Sequence, residues 1–192
     1  MGRRAVVLLI LSLTAIGLLA SCSSPPEGSP EWHLARAYDF AERGHFLEAI
    51  EEYSTVLEAH YPNRAEAYIN RAAAQNSLQE YDAAIADSTR AISLDPSLVL
   101  AYLNRAYAFN EKSQYEAAIE DSDKAIELDR TIAEAYVLRA QAYNGLGTWN
   151  LAVADCNRAL DLDAELVVAY YRRAQGFKGL GETERAIEDF EK

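Results

Sequence analysis

The sequence has few of the residues on which enzymes and metal sites usually depend. It contains three histidines among 192 residues, all within the stretch 33–60, and no two of them are four residues apart. They therefore lack the helical i, i+4 pairing that grips a metal ion. Gly145-Leu146-Gly147 and Gly179-Leu180-Gly181 follow no predicted strand, so we interpret them as turns rather than phosphate loops. No nucleophile has a base at motif spacing. We expect no enzyme activity, no cofactor and no metal site.

Positive charge is also scarce. The chain carries 18 lysines and arginines against 30 acidic residues, for a formal net charge of −12. An acidic surface repels phosphate backbones, so we do not expect a nucleic-acid partner. The same balance disfavours a polybasic patch that would hold the chain on a membrane.

The N-terminus has the pattern of an export signal. Arg3 and Arg4 precede an apolar run over residues 5–20, which is shorter than a comfortable membrane span. The run ends in Leu19-Ala20-Ser21-Cys22, which resembles a bacterial lipobox. The resemblance implies a signal peptide over 1–21, a lipid (palmitate) on Cys22, and anchoring to the bacterial cell envelope. Ordinary signal cleavage beside an incidental cysteine is the alternative.

Residues 22–29 are polar and proline-rich, and they are predicted to form a flexible tether. If Cys22 is acylated, Cys156 has no partner for an internal disulfide. Its place in a predicted helix core favours a buried, inert thiol.

The rest of the chain repeats itself. Four residue types recur every 34 residues: Tyr68, Tyr102, Tyr136 and Tyr170; Arg71, Arg105, Arg139 and Arg173; Ala84, Ala118, Ala152 and Ala186; and Asp87, Asp121, Asp155 and Asp189. Such a period is typical of helix–turn–helix solenoids, in which each unit buries its apolar face against its neighbours. Proteins of this class usually present a binding surface rather than an active site.

The second repeat shows the expected helix pair. A first helix begins near Ala65, Gln79-Glu80 marks a turn, and a second helix runs from Tyr81 to Pro96. Small residues recur where paired helices approach closely. These features resemble the tetratricopeptide repeat family. The resemblance implies an all-α fold, an α-solenoid of about five repeats over 30–192 with the last truncated: about 30–64, 65–98, 99–132, 133–166 and 167–192.

The junctions between repeats vary in sequence. Pro96 is replaced by Arg130 and by Ala164 in the later repeats. We expect the later junctions to be less sharply bent. Arginine and aspartate 16 residues apart recur in four repeats, and we predict that they form a ladder of charge-assisted hydrogen bonds. Two independently solvated charges are the alternative.

The family resemblance also implies a concave groove lined by the first helix of each repeat, which binds a protein or peptide partner. Spacings of three and four place the lining residues on one helical face. The predicted lining is apolar with amides, and those amides suit binding to a peptide backbone. Amides that only solvate the face or bond to neighbouring helices are the alternative. The predicted partner-binding residues are Leu34, Tyr38, Ile69, Asn70, Ala73, Asn76, Leu103, Asn104, Tyr107, Asn110, Val137, Gln141, Asn144, Tyr171 and Gln175.

The expected function is therefore a non-catalytic scaffold at a membrane surface, with its partner unidentified. The last repeat, 167–192, stops partway through its second helix and leaves an apolar face without a capping helix. Two alternatives follow: a homo-oligomer or spacer that self-associates through this end, or a fragment of a larger repeat protein with another domain.

Overall fold

A computed structural model describes residues 25–59, 62 and 64–192, so the predicted signal peptide and Cys22 lie outside the described residues. The described part is all-helical, with no strand. Ten helices follow one another: α1 (Pro30–Glu42), α2 (Phe46–Glu58), α3 (Arg64–Ser77), α4 (Tyr81–Leu94), α5 (Val99–Glu111), α6 (Tyr115–Leu128), α7 (Ala133–Gly145), α8 (Trp149–Leu162), α9 (Val167–Leu180) and α10 (Thr183–Phe190). The all-α solenoid class is confirmed. Across these helices, none is long and apolar enough to cross a membrane.

The chain divides into two compact units, one up to Asn104 and the other from Arg105 onward. In the first unit, α2 packs against α1 and α3, and α4 packs against α3. In the second unit, α7 packs against α6 and α8, and α9 packs against α8, α10 and α7. Within each unit, the first helix of a repeat therefore lies against the second helix of its own repeat and of the one before.

Alanine makes these close contacts feasible. Ala84, Ala118 and Ala152 are fully buried at the repeat interval, and Ala186 is 4% exposed. A methyl side chain lets two helix backbones approach closely while still excluding water. Among the described residues, the largest fully buried side chain is that of Tyr53, which lies in the core of the first repeat beside Leu34 and Val56.

Glycine serves the same purpose at two places in the second unit. A Cβ added to Gly145 would overlap the ring of Tyr115, and one added to Gly179 would lie 2.5 Å from the ring of Trp149. The aromatic residue that begins each of these second helices therefore lies directly against the next repeat. These contacts support the interpretation of both glycine motifs as structural.

The junctions do not depend on proline. The residue immediately after the second helix has nearly the same backbone angles in three repeats: φ −146°, ψ 103° at Asp95, φ −148°, ψ 108° at Asp129, and φ −141°, ψ 98° at Asp163. The expectation of less sharply bent later junctions was therefore wrong. In each case an aspartate Oδ1 accepts a hydrogen bond from the backbone N–H two residues on, at 2.8 to 3.0 Å.

The recurring tyrosine fixes the same turn from the other side. Its hydroxyl donates to the backbone carbonyl six residues earlier, from Tyr102 to Pro96 at 3.2 Å and from Tyr136 to Arg130 at 3.3 Å. Tyr170 donates to Ala164 at 3.1 Å. A carbonyl can accept this bond whatever side chain it carries, which explains why the position after the aspartate varies.

Candidate binding surface

The recurring arginines lie on the first helix of each repeat and form the predicted ladder. In all four repeats Nε and one terminal nitrogen donate in parallel to the two oxygens of one aspartate on the second helix, at 2.7 to 2.8 Å. The aspartates are only 5–7% exposed. Pairing is therefore confirmed, and independently solvated charges are excluded for these four pairs.

Arg71, Arg139 and Arg173 also reach the preceding repeat with their remaining terminal nitrogen. Arg71 Nη1 donates to Ser54 Oγ at 2.8 Å, and Arg173 Nη1 donates to Asn157 Oδ1 at 2.7 Å. Arg139 Nη1 donates to Asp123 Oδ1. Hydrogen bonding raises the pKa of Arg71, Arg139 and Arg173 above the ordinary value. The ladder thus ties helix pairs together within a repeat and across a junction.

Most of the predicted groove residues are not on the surface. Nine are buried, at 1–3% exposure: Leu34, Ile69, Asn70, Ala73, Asn76, Leu103, Asn104, Asn110 and Val137. Five are half-buried: Tyr38, Tyr107, Gln141, Asn144 and Gln175. Tyr171 is 48% exposed. The buried members support the helices, and only the six others keep a sizeable exposed area.

The asparagine series connects neighbouring helices. Asn76 Nδ2 donates to the backbone carbonyl of Asn104 at 2.9 Å, and Asn104 Nδ2 donates to that of Ile69 at 3.0 Å. Asn110 donates to Leu138 and Asn144 to Arg172, each at 2.8 Å. The structure thus favours the alternative in which these amides bond to the adjacent helix. Their amide nitrogens are already committed to a backbone carbonyl.

In the first unit, three polar side chains form hydrogen bonds between α1 and α3. Tyr38 Oη donates to Glu66 Oε1 at 2.6 Å and accepts from Asn70 Nδ2 at 3.2 Å. The ring of Tyr38 meets that of Tyr53 edge-on, with centroids 6.0 Å apart. Tyr38 is therefore held in one orientation, with a half-buried ring.

In the second unit, a chain of polar contacts joins α5, α7 and α9. Glu111 Oε1 accepts from Gln141 Nε2 at 3.1 Å, and Gln141 Oε1 accepts from Arg172 Nη2 at 2.8 Å. Arg172 Nη1 donates to Gln175 Oε1 at 3.2 Å. We call Glu111, Gln141, Arg172 and Gln175 the polar cluster. Burial lowers the pKa of Arg172, and the nearby Glu111 acts in the opposite direction.

Glu111 and Arg172 were not among the predicted partner-binding residues. Both lie on first helices, but Arg172 occupies the position that holds Asn70 and Asn104 in earlier repeats. The sign available in the sequence was this break in the series, a charge at a position where those two repeats have an amide.

The described residues offer little chemistry. Residues 25–59, 62 and 64–192 contain no group of three or more His, Cys, Asp or Glu side chains arranged to hold a metal. The thiol of Cys156 is fully buried, and burial raises its pKa to about 12. A thiol with so high a pKa carries almost no thiolate at neutral pH, and thiolate is the reactive form.

Two family models described as Tetratricopeptide repeat match the chain, one over residues 34–99 and the other over 99–132 and 133–166. The chain belongs to the tetratricopeptide repeat family. Small glutamine-rich tetratricopeptide repeat-containing protein 2 of Saccharomyces cerevisiae is 49% identical over 49 residues, which is 26% of this chain and 14% of the yeast protein.

Solved structures agree with this fold. The MamA protein superimposes with a TM-score of 0.71 at 22% identity, over 84% of this chain and 88% of that one. MamA from residue 41 to the end, from Desulfovibrio magneticus RS-1, has a TM-score of 0.73 at 18% identity, over 88% and 93%. A thermophilic tetratricopeptide repeat protein of Thermus thermophilus has a TM-score of 0.73 at 17% identity, over 84% and 88%. Tetratricopeptide repeat proteins are generally non-catalytic scaffolds for protein–protein interaction.

Proposed function

We propose that this chain is a non-catalytic adaptor, anchored by lipid at the bacterial cell envelope, that binds a partner polypeptide on the first-helix face of its repeats. The observation that carries the proposal is the polar cluster of the second unit, where side chains of three first helices meet half-buried. Glutamine amides there have both donor and acceptor groups, which suit an extended backbone. The proposed contact residues are Tyr38 in the first unit and, in the second, Tyr107, Gln141, Asn144, Tyr171 and Gln175.

The buried aspartates, asparagines and alanines support the proposal indirectly. They fix the helices on which those residues stand, so a bound segment meets a surface that is already ordered. A preorganised surface loses less conformational entropy on binding than a flexible one does. The apolar rings of Tyr107 and Tyr171 add contact area beside the amides.

Photocrosslinking in the native cells tests this proposal. Benzoylphenylalanine replaces Tyr107 in one variant and Glu120 in the control variant, which lies exposed on α6 of the same repeat. We expect the Tyr107 variant to capture a defined polypeptide that the Glu120 variant does not capture. Capture at Glu120 alone, or equal capture at both positions, contradicts binding on the first-helix face.

Self-association is a second candidate, and it is favoured by an apolar patch on α9 and α10. Tyr171, Ile187 and Phe190 are 48%, 52% and 50% exposed, and the rings of Tyr171 and Phe190 meet edge-on. Sedimentation of the full chain over a range of concentrations tests this candidate, with Phe190→Glu as the variant expected to dissociate any dimer. A chain that remains monomeric throughout excludes it.

A further inference from the structure

Helix α1 departs from the repeat pattern at Trp32. The first repeat is one residue longer than the others, so its residues match those 35 places later. Trp32 therefore stands where the later first helices carry a fully buried alanine: Ala67, Ala101, Ala135 and Ala169. Ala169, for example, lies in one core cluster with Ala159 of the second helix before it. This position is thus where a first helix meets the preceding repeat.

The indole of Trp32 changes what this side of α1 can contact. Among the described residues, no second helix precedes α1, and Trp32 is half-buried. An indole needs far more room than the methyl group that allows two helices to approach closely. A further repeat, or a second copy stacked end to end, therefore cannot pack here as the repeats pack on one another.

Arg36 makes the same side of α1 amphipathic. Its Cζ lies 4.4 Å from the ring centroid of Trp32 and 5.4 Å from that of Phe40. Its Nη2 is 3.3 Å from Glu52 Oε1, and the side chain remains 43% exposed. Aromatic rings and a guanidinium thus lie together along one helical face. Tryptophan and arginine suit the boundary between lipid headgroups and acyl chains, where the ring is half solvated and the guanidinium meets phosphate.

The predicted lipid site is close to this face along the chain. Ser29 N–H donates to the backbone carbonyl of Pro26 at 3.0 Å, and Ser29 Oγ accepts from the backbone N–H of Trp32 at 3.2 Å. These bonds join the turn before α1 to the helix. Pro26 follows Cys22 by four residues, a stretch that spans at most about 14 Å. A lipid on Cys22 therefore keeps the start of α1 near the membrane surface.

We propose that Trp32 and Arg36 dock α1 onto the phospholipid headgroups of the membrane that holds the Cys22 lipid. This inference rests on the lipid anchor of the proposed function. The chain has a net charge of −12, and Glu31 and Asp39 lie on α1 itself, so general electrostatic attraction contributes little. The short tether supplies a high effective concentration instead. Docking therefore needs the lipid, and Cys22→Ser does not bind vesicles.

Tryptophan fluorescence tests this inference, because the chain has two tryptophans. The lipidated full chain is reconstituted in phosphatidylcholine vesicles that carry bromine near the headgroup end of the acyl chains. Trp149→Phe leaves Trp32 as the fluorophore, and Trp32→Phe leaves Trp149, which is 39% exposed on α8. We expect bromine to quench roughly half of the Trp32 emission and little of the Trp149 emission, because an interfacial helix face enters the boundary by about 5–10 Å. Equal quenching of the two, or none at Trp32, overturns the inference.

Two further variants separate docking from structural support. A Gly-Ser insertion of about 20 residues between Cys22 and Pro25 lies outside the helices and lowers the effective concentration of the face at the membrane. We expect severalfold weaker quenching of Trp32 while the chain stays on the vesicles. Arg36→Gln should also weaken the quenching, whereas Arg43→Gln, at an exposed position directly after α1, should not. Wild-type quenching after the insertion, or equal quenching in Arg36→Gln and Arg43→Gln, overturns the inference. Thermal unfolding confirms that each variant is folded.

The anchor and the docking fail in different ways. A wild-type chain that does not float with the vesicles contradicts the lipid anchor and the docking with it. A chain that floats without quenching at Trp32 overturns the docking alone, and the anchor stands. Shielding of Trp32 from aqueous iodide without quenching by bromine shows that a second copy covers the face, which also overturns the docking.

Discussion

Arg139 and Asp155 face each other through two parallel hydrogen bonds, from Nε to Oδ2 at 2.8 Å and from Nη2 to Oδ1 at 2.7 Å. Asp155 is 7% exposed. Arg139→Met leaves the Asp155 carboxylate buried without its cation, and Asp155→Asn leaves Arg139 with Asp123 alone. Each single replacement should therefore lower the free energy of unfolding by about 2 kcal/mol. Urea denaturation measures this loss of unfolding free energy, and the double variant gives the coupling energy between Arg139 and Asp155.

Because the two residues share their bonds, the double variant should lose clearly less than the two single losses together. Asp161→Asn is the matched control, since Asp161 lies exposed on the same helix, α8. We expect that variant to unfold within about 0.5 kcal/mol of the wild type. If the losses of unfolding free energy in Arg139→Met and Asp155→Asn are strictly additive, the two residues are not energetically coupled and the ladder is contradicted.

Asn110 should matter for stability rather than for recognition alone. Its Nδ2 donates to the carbonyl of Leu138 at 2.8 Å, and the residue is 3% exposed. Asn110→Ala removes this buried contact between α5 and α7 and should cost about 1–2 kcal/mol of unfolding free energy. Asn150→Ala, at an exposed position on α8, is the control. Equal effects of the two replacements argue against the assigned role of Asn110.

Gly179 gives a prediction whose sign depends on Trp149. A Cβ at residue 179 would lie 2.5 Å from the indole ring, so Gly179→Ala should destabilise the wild type by about 1–3 kcal/mol. In a Trp149→Ala background the clash is gone. The same replacement should then raise the free energy of unfolding by up to about 1 kcal/mol, because alanine has a higher helix propensity than glycine. Thermal melts of the wild type, the two single variants and the double variant measure the sign of the effect. Destabilisation by Gly179→Ala in both backgrounds would exclude the ring contact as the cause.

The turns after α4 and α6 predict a specific pH dependence. Asp95 and Asp129 accept bonds from the hydroxyls of Ser97 and Thr131 at 2.6 Å, and from their backbone N–H groups at 2.9 and 2.8 Å. These bonds hold the pKa of both carboxyls below the ordinary value of 3.8, with the hydroxyl bond as the larger cause. A depressed folded pKa means that the stabilisation is present above pH 3.8 and is lost as pH falls through the folded value.

Carboxyl ¹³C NMR of the folded chain measures these two titrations separately. Ser97→Ala removes the hydroxyl and should move the pKa of Asp95 upward while that of Asp129 stays in place. Thr131→Ala should do the reverse. If both aspartates move in either variant, the local hydroxyl bonds are not the cause of the lowered pKa.

The periodic part of this molecule could be predicted from sequence because each repeat places the same residue in the same surroundings. The 16-residue interval between Arg105 and Asp121 correctly indicated their pairing, since it recurs in four repeats. The partner of Asn110 could not be predicted, because it is the backbone carbonyl of Leu138, and any residue supplies a carbonyl. For the same reason, the backbone geometry of the junctions does not depend on whether the residue after the aspartate is a proline, as at Pro96.

The candidate surface was harder to predict because it depends on exposure rather than on helical face. Val137 and Tyr171 occupy the same position in successive repeats, yet they are 3% and 48% exposed. Periodicity assigns them the same role, while packing separates them. Arg172 lies outside this periodicity, because it interrupts the amide series of Asn70 and Asn104.

Cys22 provides the test of the envelope location, which remains a prediction from sequence. If the segment ending at Cys22 acts as a lipobox, cells fed radioactive palmitate should label the wild-type protein and leave Cys22→Ser unlabelled. The control is Cys156→Ser, which keeps the predicted lipid site and replaces the buried thiol. Its label should match the wild type, because a fully buried thiol is not accessible to acylation. Labelled Cys22→Ser, or an unlabelled wild type, contradicts a lipid anchor at Cys22. Fractionation of the same cells should then find Cys22→Ser released from the membrane that holds the wild-type protein.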